Sequence, residues 1–259
     1  VRQAGLPTIL IPTTAGTGSE VTPNALFYVP ARRNKEAIVS PFLVPQIALV
    51  DPALTLSLPP HITAATGVDA LCHGIESFTA SNATPLSMPF ATEAIRLIAK
   101  HLRQAVIRGD DLASREGMAL ASLYAAISLA NSGTNAVHAL AYPLQGLNRI
   151  THGIANSLLL PYVLEFNLLG DLERFARVTE LMGQPTGHLS LRDAAGECER
   201  LCRQLADDVG IPKRMRDVGI QRAQLDDLVE GAWAVQRLLR NNPRAIDRED
   251  IRRIYESAL

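Results

Sequence analysis

The chain has 259 residues, with 25 Lys and Arg against 26 Asp and Glu and a formal net charge of −1. It is long enough to bury a large core but offers no basic block to release counterions from a phosphate backbone, so nucleic acid is not expected as a partner. Its greasiest stretch, residues 120–130, is interrupted by Ser122, Tyr124 and Ser128 and falls short of the roughly 20 apolar residues that span a bilayer, so no membrane partner is expected either. The three cysteines are too few for a disulfide framework, which points to a reducing, cytoplasmic setting.

In chain order, residues 1–58 read as β-rich. The amino terminus, VRQAGLPTILIP, lacks a signal-peptide cleavage pattern and reads as the start of a strand. Proline-bounded apolar runs at 7–12 and 46–50, with β-branched or aromatic runs at 25–29 and 36–39, predict strands joined by turns. Between the first two lies TTAGTGSEVTP, whose glycines allow close backbone approach to a ligand. It matches neither the P-loop nor the usual dinucleotide fingerprint, so on pattern alone it is a simple glycine loop.

From 59 to 259 the periodicity is helical. Thr66 with Asp69 three residues on resembles a capping box opening a helix through Phe78. Further helices are predicted over 89–106, 111–129, 134–147, 156–166, 172–181, 191–209, 225–239 and 248–258, the last capped by Asp247 with Asp250 three residues on. GQPTGH (183–188) and NNPR (241–244) read as turns. Cys198 and Cys202, four apart in CERLCRQL, read as core-facing thiols rather than a metal or redox pair.

Asp69 and His73, four apart in TGVDALCHGIESF, share one helix face and suit either a single ion or a surface hydrogen bond. His138 and His152 in HALAYPLQGLNRITHG are separated by a helix, a turn and the start of the next helix, a connection that can fold back on itself. Three imidazoles and one carboxylate suit Zn²⁺ or Fe²⁺ rather than Mg²⁺ or Ca²⁺. The bland reading of any one histidine is a hydrogen-bonded helix-end residue, and it is kept for His61, His101 and His188.

The strings PTTAGTGSEVTP, DPALTLSLPP, ATGVDALCHGIESF, HALAYPLQGLNRITHGIANSLLLPYVLEFN and NNPRAIDREDIRRIYESAL occur in matching order over essentially the whole chain. Together they resemble the iron-containing (group III, metal-dependent) alcohol dehydrogenases of the dehydroquinate synthase-like superfamily. The resemblance implies an α/β remnant of a dinucleotide-binding domain (1–58) followed by an all-α helical-bundle metal-binding domain (59–259). It places the metal ligands at Asp69, His73, His138 and His152, and nicotinamide nucleotide contacts at Thr13, Thr14, Thr22, Asn24, Lys35 and Leu54. Hydroxyls and N–H groups of the 13–19 turn suit pyrophosphate oxygens, and Lys35 suits a dianionic ligand.

The implied activity is NAD- or NADP-dependent oxidation of an alcohol or reduction of an aldehyde, by hydride transfer with the substrate oxygen on Fe²⁺ or Zn²⁺. His152 and Tyr142 are the residues nearest that chemistry, and a homo-oligomer is implied. Two departures stand out. The family's glycine-rich pyrophosphate turn has no counterpart, so the resemblance implies that roughly a hundred residues at the front of that domain are missing. Tyr142 stands where many members carry a histidine, and a phenol with an ordinary pKa near 10 is a poor proton shuttle unless its surroundings lower it. Gln145 and residues 148–150 also differ from the commoner glycine-rich turn. The competing readings are a polyol dehydrogenase or maleylacetate reductase of the same superfamily, and a non-catalytic metal-binding remnant.

Overall fold

The computed structural model describes residues 1, 3, 5–29, 34–148 and 150–259. Strands come first. β1 (Ile9–Leu10) pairs in parallel with β4 (Ile47–Ala48), with Ile9 opposite Ile47 and Leu10 opposite Ala48. β2 (Asn24–Val29) and β3 (Asn34–Val39) form an antiparallel ladder from Asn24 opposite Val39 to Val29 opposite Asn34. All four expected strands are present, with the two flanking ones cut to the residues that actually pair. A short 3-10 turn, Ser19–Val21, rests on the helical part against α3 (Leu112–Ser132), and β3 packs against α4 (Ala136–Asn148).

The helices follow from α1 (Pro60–Thr79) onward. α1 starts almost two turns before the position the Thr66–Asp69 pattern predicts. Proline at the first helical position supplies the right φ without losing a needed donor, and the Thr66 hydroxyl donates back to the Ile62 carbonyl at 2.8 Å, which makes it an interior helix residue and not a cap. α1 is buried along most of its length and forms the axis of the bundle, packed by α2 (Met88–Ile107), α3 and α5 (His152–Asn167). α5 opens at His152 itself, one turn earlier than predicted. α6 (Leu172–Leu181), α7 (Leu191–Asp208) and α10 (Arg248–Ala258) match the sequence reading, and Asp247 and Asp250 form the expected capping box.

The helix predicted over 225–239 is instead two, α8 (Leu225–Trp233) and α9 (Gln236–Leu239). The break comes at Ala234 and Val235, where the Val235 N–H turns to the Ala232 carbonyl at 3.0 Å. An apolar periodicity that survives the break hides it from sequence.

The NNPR segment is more than a turn. Asn241 is buried, donating to the carbonyls of Ser132 (2.8 Å) and Thr134 (3.1 Å) and accepting from the Asn82 N–H (3.0 Å). It thereby pins the connection that leads into α4. Tyr255 on α10 fixes α4 itself, its buried hydroxyl donating to the Leu140 carbonyl at 2.6 Å. Cys72, Cys198 and Cys202 are free and buried, in keeping with a packing role. Among the described residues no helix is long and apolar enough to cross a membrane.

Candidate metal centre

α1, α4 and α5 meet where their ends and faces carry Asp69, His73, His138 and His152, and one potential ligand atom from each lies within 4.8 Å of the others. Asp69 and His73 are successive on one face of α1, as the spacing requires. His138 comes from the first turn of α4 and His152 from the first residue of α5, so the fourteen-residue separation closes where the starts of the two helices meet, with the two rings 5.3 Å apart. Close approach depends on Gly153. A Cβ there would lie 2.6 Å from the Ala65 carbonyl oxygen, so only glycine lets α5 start against α1.

Each imidazole is oriented from behind. The Nδ1 of His73 lies 3.2 Å from the Gly16 carbonyl oxygen, that of His138 bonds the Glu76 carboxylate, and that of His152 lies 3.3 Å from Gln145 Oε1. A carbonyl, a carboxylate and an amide oxygen can only accept, so each Nδ1 carries the proton and each Nε2 offers its lone pair. The Gln145 amide is oriented by its own Nε2, which donates to the Ala141 carbonyl at 3.2 Å. Gly16 belongs to the TTAGTGSEVTP turn, which presses on α1: a Cβ at Gly16 would lie 2.7 Å from Thr66 Cβ.

The electrostatics follow from burial and proximity. Burial by itself raises the Asp69 carboxyl, but His152, His73 and His138 together with the Asn156 hydrogen bond outweigh it and hold the group below its ordinary range. Burial lowers His73, with Asp69 only partly offsetting it. His138 is also penalised by burial, yet the Glu76 carboxylate against its Nδ1 raises it overall. Burial raises Tyr142 above its ordinary value, so the lowering that a proton shuttle needs does not occur.

Two residues that touch the ligand side chains escaped the sequence reading. Glu76 is buried and its Oε1 accepts from the N–H groups of Asn135 (3.1 Å) and Val137 (2.7 Å) at the start of α4, while Oε2 holds His138. It follows His73 by three residues and Asp69 by seven, on the same helical stripe, and that spacing was the available signal. Asn156, one turn after His152, donates from Nδ2 to Asp69 Oδ1 at 2.7 Å and lies 3.1 Å from both His138 Nε2 and His152 Nε2. Its own Oδ1 is buried without a partner.

The donor set fits a divalent cation. Inward-facing electron pairs outnumber the two amide hydrogens of Asn156, and a buried excess of acceptors is costly unless something positive shares them. Three neutral imidazoles and a carboxylate, each held by an outer partner, are what a borderline metal such as Fe²⁺ or Zn²⁺ needs.

The centre opens onto a cavity of about 590 Å³ lined by His73, His138, Tyr142 and His152, by Thr22, Asn24 and their neighbours on β2 and β3, and by Arg237. Of the nucleotide-contacting candidates, Thr22 and Asn24 therefore stand beside the centre, joined by Thr17 and Ser19, which the sequence reading did not single out. Thr13 and Leu54 are exposed and Thr14 half-buried, outside this cavity. Lys35 lies on β3, and its side chain is outside the described ones.

Residues 63–259 match the C-terminal model of the Fe-containing alcohol dehydrogenase family, and residues 1–52 match the iron-containing alcohol dehydrogenase model. The chain is 42% identical to long-chain-alcohol dehydrogenase 1 of Geobacillus thermodenitrificans, over 100% of its own length and 65% of that protein. It is 40% identical to 1,3-propanediol dehydrogenase of Citrobacter freundii, over 97% of its length and 65% of that protein. It thus spans a little under two thirds of the length of these curated relatives. The solved structure of alcohol dehydrogenase from Oenococcus oeni superposes with a TM-score of 0.97 at 37% identity, covering 100% of this chain and 67% of that one.

Proposed function

The chain belongs to the iron-containing alcohol dehydrogenase family, and from that premise we propose that it carries the metal centre of an NAD- or NADP-dependent alcohol dehydrogenase or aldehyde reductase. Asp69, His73, His138 and His152 hold one Fe²⁺ or Zn²⁺. When bound, the cation supplies an electrophile for the substrate oxygen and the nicotinamide supplies the acceptor or donor of the hydride.

The chain's own residues do the rest. Gly16, Glu76 and Gln145 keep the three Nδ1 protons in place, so the imidazoles present lone pairs without a reorganisation step. Asn156 steadies Asp69. Tyr142, a neutral hydroxyl on the cavity wall, positions substrate or nicotinamide rather than shuttling a proton. Thr13, Thr14, Thr22, Asn24, Lys35 and Leu54 contact the dinucleotide, with hydroxyls and backbone N–H groups suited to its phosphates.

The division of labour runs at residue 58, with 1–58 serving the dinucleotide and 59–259 the metal; this reading is supported by the two matched family models, which cover 1–52 and 63–259 on either side of it. The substrate is a small alcohol or aldehyde, and the protein acts as a homo-oligomer. Three buried free thiols support a reducing, cytoplasmic setting.

The observation that carries this reading is the convergence of four ligand atoms within 4.8 Å, with every imidazole fixed from its far side. Metal analysis of the purified chain and its His152→Ala variant tests it, read alongside alcohol-dependent reduction of NAD⁺ and NADP⁺. The expected result is about one Fe or Zn per chain, lost with His152. A chain that stays metal-free after incubation with either ion would sink the assignment.

A further inference from the structure

The wall of the cavity is chemically lopsided. Among the described residues lining it, no carboxylate appears, and apart from the imidazoles the one ionised side chain is Arg237. Asp69 and Glu76 are buried and do not line it. Arg237 sits on α9, whose Leu238 and Leu239 are locked into the core, so its placement at the cavity follows from the break at Ala234 and Val235 that separates α9 from α8.

Its neighbours in the C-terminal stretch are partnered: Arg244 donates to the Phe166 carbonyl, Arg248 to Glu230 and Arg252 to Asp226. Arg237 makes no hydrogen bond or ion pair with any described residue. A guanidinium beside a divalent-cation site gains nothing from the site itself, since like charges repel, and the cavity between them is left with a positive potential.

We propose that Arg237 binds an anionic group, a carboxylate or sulfonate, at the far end of a short alcohol or aldehyde whose oxygen faces the four-ligand centre. This rests on the dehydrogenase reading and narrows its substrate class. The planar fork of a guanidinium matches the two oxygens of such a group, and Arg237 is exposed and so free to meet one entering from solvent. A dinucleotide phosphate has the same chemistry, but the hydroxyls suited to it (Thr17, Ser19 and Thr22) come from the strand side, whereas Arg237 comes from the helical side.

The test is calorimetric titration of the zinc-loaded 259-residue chain with 3-hydroxypropane-1-sulfonate and with the neutral 1,4-butanediol, repeated on Arg237→Gln and Arg237→Lys. A sulfonate is a weak metal ligand, so any preference for it reports the guanidinium. The sulfonate is expected to bind at least about tenfold more tightly than the diol. Arg237→Gln should erase that preference and Arg237→Lys keep part of it. Equal binding of the two probes, or an undiminished preference in Arg237→Gln, overturns the proposal. So does a variant that instead loses affinity for NAD⁺ or NADP⁺, which would assign the guanidinium to a dinucleotide phosphate. A chain that holds zinc yet binds neither probe nor dinucleotide overturns the dehydrogenase reading as well.

Discussion

The strand part and the helical centre handle their polar and apolar groups in opposite ways. Asp69, His73 and His138 are buried and His152 half-buried, and each imidazole is tied from behind. In the strand part, Ile9 and Ile47 face each other across a two-residue ladder and are 60% and 51% exposed, and Phe27 on the hairpin is 54% exposed. Short two-stranded ladders are marginal on their own. The geometry of the ligand set is therefore a property of α1, α4 and α5, and the strand part contributes the Gly16 carbonyl behind His73 and one wall of the cavity.

If the centre owes its shape to the helices, the strongest blow comes from Glu76. Replacing it with alanine leaves the N–H groups at the start of α4 and the His138 Nδ1–H buried without an acceptor, which should cost about 3–5 kcal/mol. Urea denaturation of the metal-free chain measures this, and a loss under about 1 kcal/mol would show that α4 is held by something else. Glu76→Gln keeps the shape but not the charge, and should weaken zinc binding about 10–100-fold.

Next in size is Gly153→Ala, which sets a methyl against the Ala65 carbonyl and should destabilise by about 1–3 kcal/mol while displacing His152. Melting temperature and zinc affinity should fall together; an unchanged pair of values would mean α5 can shift without cost. Gln145→Leu removes only the acceptor behind His152. Zinc affinity should drop about tenfold, with stability changing by about 1 kcal/mol; no change in affinity would leave Gln145 a packing residue.

The mildest probe leaves the sequence intact. In hydrogen exchange, the amides of Ile47 and Leu49, which bond to Thr8 and Leu10, should open well before those in the middle of α1 and α5. Equal protection in both regions would erase the distinction between them.

Legibility in the sequence followed the same divide. Asp69 with His73 could be read because a helix repeats every 3.6 residues, and His138 with His152 because the segment between them breaks at a turn. Glu76 lay on the same stripe and was still missed, since a carboxylate among apolar residues reads as ordinary until the start of α4 arrives above it. Arg237 was hidden for another reason: unbroken periodicity over 225–239 gave no sign that the chain turns at Val235.

What the sequence determined by itself was local and periodic: the alternation of strands and turns before residue 59, the helices after it, the capping box at Asp247, and the residue types suited to a borderline metal. Which histidine nitrogen faces inward, which acceptor sits behind each ring, and that Arg237 stands at the cavity were decided only by the fold. Those facts depend on contacts between residues far apart in sequence, such as Glu76 and His138, 62 positions apart, and no pattern within a single helix encodes where another helix will lie.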